Sequence, residues 1–218
     1  IGTALGLPLA YLNYRVQFGE ASMGYPLTLG WARDRRDSVI TPTRGSYQRV
    51  NLEWSFAGEV QYTRTNLQLQ QYWSLPLRTT LGLNAELGLN GKPFPVFKNF
   101  YGGGLGTVRG FEQGSLGVID PTGAYIGGAK RLNLNAELYF PVPGTGNDKS
   151  LRIFAFADAG NVWREDERMR ASSLRSSAGL GVSWISPVGP LKLSWGTPLR
   201  AQPNDRIQRF QFQIGTAF

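Results

Sequence analysis

Leu77-Arg78-Thr79-Thr80-Leu81-Gly82-Leu83-Asn84-Ala85-Glu86-Leu87-Gly88-Leu89 sets Leu, Thr or Ala at every odd position and Arg, Thr, Gly, Asn or Glu at every even one. A period of two sends successive side chains to opposite faces of an extended strand, here one oily and one wet. The same split recurs at Val50, Leu52, Trp54 and Phe56 against Arg49, Asn51, Glu53 and Ser55. It returns at Leu132, Leu134, Ala136, Leu138 and Phe140 against Arg131, Asn133, Asn135, Glu137 and Tyr139. Strands are expected over 10–19, 25–35, 46–56, 60–73, 77–89, 130–141, 150–162, 174–185, 190–198 and 207–218. Each is close to the ~9–11 residues that a tilted strand needs to cross a bilayer.

The polar face separates a soluble barrel from a membrane one. A soluble barrel fills its interior with Leu, Ile and Val, whereas Arg, Glu, Asn and Gln occupy one face of nearly every segment here. The segments also exceed the usual strand of ~5–6 residues. An apolar exterior around a polar lumen fits both facts, so the expected fold is all-β, a transmembrane antiparallel β-barrel. Trp31, Trp54, Trp73, Trp184, Trp195 and Phe218 fall on the apolar faces, several near strand ends, where interfacial belts are expected.

Composition removes several function classes. The 218 residues contain no His and no Cys, so neither a Ser-His hydrolase site nor an imidazole or thiolate metal cage can be assembled from them. The chain is therefore expected not to be an enzyme and to carry no metal or other cofactor. The net charge of +8 would suggest nucleic acid in a soluble protein. Yet Arg15, Arg64, Arg78, Arg131, Arg152 and Arg209 are dispersed along polar faces and turns. A solvated lumen and anionic lipid headgroups account for that pattern, and no nucleic-acid partner is expected. The sequence opens on Ile1 without a Met or a charged leader and reads as a mature or truncated piece.

Between Asn90 and Ala129 no regular element is evident, and loops of that length inside a compact domain are uncommon and usually functional. This one carries Phe94, Val96, Phe97, Phe100, Tyr101, Val108, Phe111, Val118 and Ile119, which need something to bury against. Gly102, Gly103, Gly104 and Gly106 lack the strand-to-helix context and following Lys-Ser of a phosphate loop, so close packing on the lumen wall is the expected use. By strand parity the long loop faces outward, and the short turns face the periplasm. Arg109 lies in an apolar loop tip, and an Arg taken out of water requires carboxylate partners. Glu137 and Asp158 sit on the polar faces of their strands and can point into the lumen. Each could equally pair with an Arg on a neighbouring strand.

The segment Pro95-Val96-Phe97-Lys98-Asn99-Phe100-Tyr101-Gly102-Gly103-Gly104, followed by Val108-Arg109-Gly110-Phe111, resembles the sixth extracellular loop of the BamA family of outer-membrane-protein assembly factors. Further similarities lie at Gly30-Trp31, Asp34, Arg36-Asp37, Pro42-Thr43-Arg44-Gly45, Phe156-Ala157-Asp158-Ala159-Gly160-Asn161-Val162-Trp163 and Ser186-Pro187-Val188-Gly189-Pro190-Leu191. The ending Phe210-Gln211-Phe212-Gln213-Ile214-Gly215-Thr216-Ala217-Phe218 is similar to that family's C-terminal signal.

The resemblance implies that residues 1–218 hold about ten C-terminal strands of a sixteen-stranded barrel, with loop 90–129 folded into the lumen. POTRA domains and the first strands would lie outside this sequence. It implies that Arg109 of Val108-Arg109-Gly110-Phe111 meets Glu137 and Asp158 inside the barrel. It implies a lateral seam and C-terminal signal at Phe210, Phe212, Ile214, Gly215 and Phe218, with Gly215 at a kink position; a plain β-bulge is the alternative for that glycine. The implied location is the outer membrane of a Gram-negative bacterium. The implied partners are membrane lipids including lipopolysaccharide, unfolded outer-membrane-protein clients, and accessory lipoproteins engaging the periplasmic domains. The implied activity is the folding and insertion of β-barrel proteins. The alternative is a polypeptide translocation pore of the same superfamily, of the TamA or two-partner-secretion type.

Overall fold

The computed structural model describes residues 7–19, 22–91, 94–144, 149–187 and 189–215. One helix, α1 (Leu9–Phe18), precedes the strands β1 (Gly24–Asp34), β2 (Gly45–Gly58), β3 (Tyr62–Ser74) and β4 (Thr80–Asn90). Within the long loop come three short pieces, β5 (Gly110–Phe111), β6 (Val118–Ile119) and β7 (Tyr125–Gly127). The long strands resume with β8 (Lys130–Pro141), β9 (Leu151–Trp163), β10 (Arg175–Ser186) and β11 (Gly189–Arg200). The chain ends in β12 (Ile207–Gln208) and β13 (Phe210–Ile214).

Nine strands form one antiparallel sheet in the order β1-β2-β3-β4-β8-β9-β10-β11-β13, each long strand beside its predecessor in the meander. Among the described residues β1 and β13 are the two unpaired ends of this sheet, so it does not close into a barrel. Register follows the alternation: β4 meets β8 with Leu83 opposite Ala136 and Leu87 opposite Leu132, while Asn84 faces Asn135 and Glu86 faces Asn133. A slip of one residue would turn every Leu toward the lumen, so the pattern fixes the pairing. On the outer face Trp31, Trp54, Trp73, Leu180, Trp184, Leu193 and Trp195 are exposed. A belt of large apolar side chains around a sheet is stable in hydrocarbon.

Four expectations need correction. Residues 10–19 do not form a strand: Leu9–Phe18 is a helix, entered at Pro8 and ended at Gly19, whose φ is 80°. Its Tyr14 stacks on Phe18 one turn away at 4.9 Å and meets Phe97 edge-on at 5.3 Å, so packing along the helix repeat prevails over the apparent alternation. Among the described residues the main sheet consequently has nine strands rather than ten. The strand expected from Leu77 begins at Thr80, because Leu77 and Arg78 take positive φ in the turn. The last strand is not continuous over 207–218: it breaks between Gln208 and Phe210, and Phe218 lies outside the described residues. The long loop also carries β5, β6 and β7, where no element was expected.

The turn between β1 and β2 is organised by Asp37. Its carboxylate accepts the backbone N–H of Thr43 at 2.8 Å and of Arg44 at 3.1 Å, and the Thr43 hydroxyl. Burial pushes this carboxyl up, but those hydrogen bonds prevail and hold it at about 2. A folded value below the unfolded one contributes stability that is present above the ordinary carboxylate range and is lost as pH falls through about 2. Hydrogen-exchange protection at Thr43 and Arg44 is therefore expected to be full at pH 5 and to decay toward pH 2. Asp37→Asn should lower it at both pH values and remove the pH dependence.

Candidate functional site

The long loop enters the lumen and packs against the polar wall. Phe100, Val108, Phe111 and Leu116 are buried, and Val108, Phe111 and Leu116 form one apolar cluster. The wall receives the loop at positions without a side chain. A Cβ on Gly88 would lie 2.7 Å from the Phe100 ring, and one on Gly160 would lie 2.7 Å from Val108 Cγ2. Phe100 also lies under the guanidinium of Arg64 at 4.5 Å and near that of Arg131 at 5.4 Å, so wall cations cover its ring. Lys98 adds an ion pair to Glu53 of β2 at 2.5 Å.

Arg109 is 3 % exposed and occupies the centre of this contact. Its Nε donates to Asp158 Oδ2 at 2.7 Å and its Nη2 to Asp158 Oδ1 at 2.7 Å, a bidentate pair. Its backbone N–H donates to the same carboxylate at 3.0 Å. Its Nη1 donates to Glu137 Oε1. The guanidinium lies 3.7 Å from the centroid of the Phe156 ring, with Phe154 behind it at 5.6 Å. Every polar edge of the side chain thus meets an acid while its face meets an aromatic ring, the arrangement that suits a planar cation out of water.

The acids are themselves held. Asn135 Nδ2 donates to Asp158 Oδ1 at 2.9 Å and to the Thr107 carbonyl at 2.5 Å, so the wall also grips the loop backbone. Lys192 Nζ of β11 donates to Glu137 Oε1 at 2.7 Å, and the Tyr139 hydroxyl donates to Glu137 Oε2. Two cations and two anions share one desolvated cluster, so its formal charge cancels locally. Wall polarity continues in Glu86, which pairs with Arg131 at 3.0 Å and accepts from Gln68 at 3.2 Å. A cavity of about 220 Å³ borders Arg109, Glu137 and Lys192.

The structure brings Val108, Arg109, Gly110, Phe111, Glu137 and Asp158 together. Gly110 takes φ 87° and passes so close to β11 that a Cβ would lie 3.2 Å from the Gly196 carbonyl. Phe210, Phe212 and Ile214 are elsewhere, exposed on the outer face of β13. Gly215 follows that strand with φ 87°, and its N–H donates to the Pro190 carbonyl at 2.9 Å. Sequence reasoning missed Asn135, Tyr139, Phe154, Phe156 and Lys192. The signal for the phenylalanines was present: they interrupt the polar face of β9 between Arg152 and Asp158. Opposite them on β10 stand Gly179 and Gly181, where a Cβ would lie 2.7 and 2.3 Å from the respective rings.

Truncating Arg109 to Ala leaves two acids without their shared cation, and loss of one partner from a buried pair costs on the order of 3–5 kcal/mol. Arg109→Ala is therefore expected to raise amide exchange throughout 98–128 by at least a hundredfold while the β9–β10 ladder stays protected. Exchange confined to residues next to Arg109 would show that the apolar contacts hold the loop unaided.

A model of the Omp85 superfamily domain matches residues 19–218. The chain is 41% identical over 228 residues to the outer membrane protein assembly factor BamA of Neisseria meningitidis, an alignment covering 89% of this chain and 29% of that protein. It is 30% identical over 205 residues to the sorting and assembly machinery component 50 homolog of Xenopus tropicalis, covering 85% of this chain and 44% of that protein. Among solved structures, BamA from Haemophilus ducreyi lacking POTRA domains 1-3 superposes with a TM-score of 0.79 at 25% identity, over 88% of this chain and 42% of that one. The chain spans less than half the length of each of these relatives.

Proposed function

We propose, starting from the fact that the chain belongs to the Omp85 superfamily and forms part of a Gram-negative outer-membrane β-barrel, that the protein carrying it folds and inserts β-barrel proteins into that membrane. The observation that carries this reading is the shortness of the last ladder. Among the described residues β13 pairs with β11 from Leu191–Ile214 to Trp195–Phe210, with one backbone hydrogen bond beyond each end, from Gly215 to Pro190 and from Gly196 to Arg209, whereas β10 pairs with β11 along its whole length. Backbone hydrogen bonds hold a strand in a sheet, and a terminal strand with few of them is the place where a client strand can add.

In this mechanism Arg109 locks the long loop in the lumen through Asp158 and Glu137, so the barrel is plugged while its seam works. A plugged lumen supports insertion over the translocation-pore alternative, as does the name assembly factor on the BamA relative. The role is mechanical and not enzymatic, in keeping with a chain that has no His or Cys. Clients would be unfolded outer-membrane proteins. Membrane lipids including lipopolysaccharide would meet the outer Trp and Phe belt, and accessory lipoproteins would act through periplasmic domains outside this sequence. Gly215 takes the left-handed region just after β13 while its N–H still donates to the Pro190 carbonyl of β11, and Phe210, Phe212 and Ile214 present the apolar edge to lipid.

The test is reconstitution of the full-length protein in liposomes, following the folding of an unfolded outer-membrane protein. Folding should accelerate, and a disulfide tying the last strand to the strand that closes the barrel against it should return it to the protein-free rate. No acceleration, with polypeptide passing through the lumen instead, would move the assignment to a transporter.

A further inference from the structure

The last strand does more than stop short. Its upper part leaves the barrel wall and joins the loop: Ile207 and Gln208 pair antiparallel with Phe111 and Gly110. The Glu112 N–H extends that ribbon to the Arg206 carbonyl at 2.9 Å, and the Gln211 side chain donates to the Phe111 carbonyl at 2.6 Å. The segment before it is held at the same place. Asp205 takes a bidentate pair from Arg175, with contacts of 2.9 and 3.1 Å, the Asn204 carbonyl accepts from Tyr125 at 2.9 Å, and Arg206 covers the Tyr125 ring at 5.1 Å.

The cause of the departure lies on β11. Its last hydrogen bond to the final strand runs from the Gly196 N–H to the Arg209 carbonyl at 2.8 Å. In an antiparallel ladder the next donor on the same edge comes two residues on. That residue is Pro198, which has no N–H to give. A register shift in the β10–β11 ladder, from Ser177 opposite Pro198 to Ser176 opposite Arg200, bends β11 at the same level. The Ile207 carbonyl therefore has no donor waiting on the barrel wall, while the backbone of Gly110 and Phe111 lies alongside.

We propose that Pro198 is a positioning residue that diverts the upper half of the last strand from β11 onto the lumenal loop, making loop and seam strand one unit. This deepens the insertase reading and rests on it for its purpose, though not for its test. With the loop docked, β12 is spent on β5, and above Gly196 the outer edge of β11 has no strand partner among the described residues. Release of the loop frees β12 as well, so an incoming strand meets a longer open edge when Arg109 is undocked than when it is docked.

Pro198→Ala supplies the missing donor and makes pairing of the last strand with β11 competitive. One hydrogen bond, about 1 kcal/mol net, corresponds to about a fivefold change in the opening equilibrium. In the full-length protein in nanodiscs, Pro198→Ala is expected to speed native-state exchange of the Glu112 amide, which donates to the Arg206 carbonyl, about fivefold, with protection in the Leu191–Trp195 and Phe210–Ile214 ladder unchanged. Unaltered exchange at Glu112, or equal acceleration in both places, would overturn the proposal. A cysteine pair at Glu112 and Arg206 in the Pro198 background gives an independent check, since this chain contributes no other thiol. It should oxidise to a disulfide as completely as a control pair at Leu193 and Phe212 on the β11–β13 ladder. A control that closes while the 112–206 pair stays open would equally overturn it.

Discussion

Everything about the lumen of this barrel depends on one buried cation. A guanidinium cannot leave water without replacing its hydration, and Arg109 does so with Asp158, Glu137 and the face of Phe156. The requirement extends outward. Asp158 needs Asn135, Glu137 needs Lys192 and Tyr139, and the rings of Phe154 and Phe156 need the empty positions at Gly181 and Gly179. Four strands, β8 to β11, thereby each contribute to holding one loop side chain. Burial of an ion pair is weak evidence for stability in general. Here the cluster supplies position, because only one placement of the loop satisfies all its members.

That placement gives the loop its second contact. With Arg109 fixed, Gly110 and Phe111 run past β11 at the height where Pro198 ends the ladder, and the final strand meets them there. The apolar exterior and the polar interior are thus joined at the last two strands. Phe210 and Phe212 face outward from the strand whose Gln211 reaches inward to the loop. A change in loop docking is felt at the membrane edge through a single residue step.

The strands were legible because period two is a strong signal when one face is apolar over twelve residues, and β2, β4 and β8 follow it closely. Residues 10–18 deceived for the same reason. Ala10, Leu12, Tyr14, Val16 and Phe18 alternate with Tyr11, Asn13, Arg15 and Gln17, yet Tyr14 and Phe18 are also one helical turn apart. Pro8 and Gly19 were the deciding punctuation. The break at Arg209 left a trace, because Ile207 falls on the odd, polar face and Gln208 on the even, apolar one, so the alternation of Phe210, Phe212 and Ile214 stops there; its cause, the proline on the neighbouring strand, acts across the sheet. In the site, Arg109 and its acids could be singled out from charge and face. Lys192, Asn135 and Tyr139 looked like ordinary lumen polarity, since nothing in a single strand's pattern tells which polar residue lies under the loop.

The most direct measurement is a double-mutant cycle on Arg109 and Asp158 in the full-length protein, with the free energy of loop opening read from native-state exchange of residues 98–128. If the buried pair fixes the loop, Arg109→Ala and Asp158→Asn together cost less than the sum of the two alone, with an interaction energy of about 2–3 kcal/mol. Additive effects, within about 0.5 kcal/mol, would contradict the account and leave the loop held by its apolar side chains.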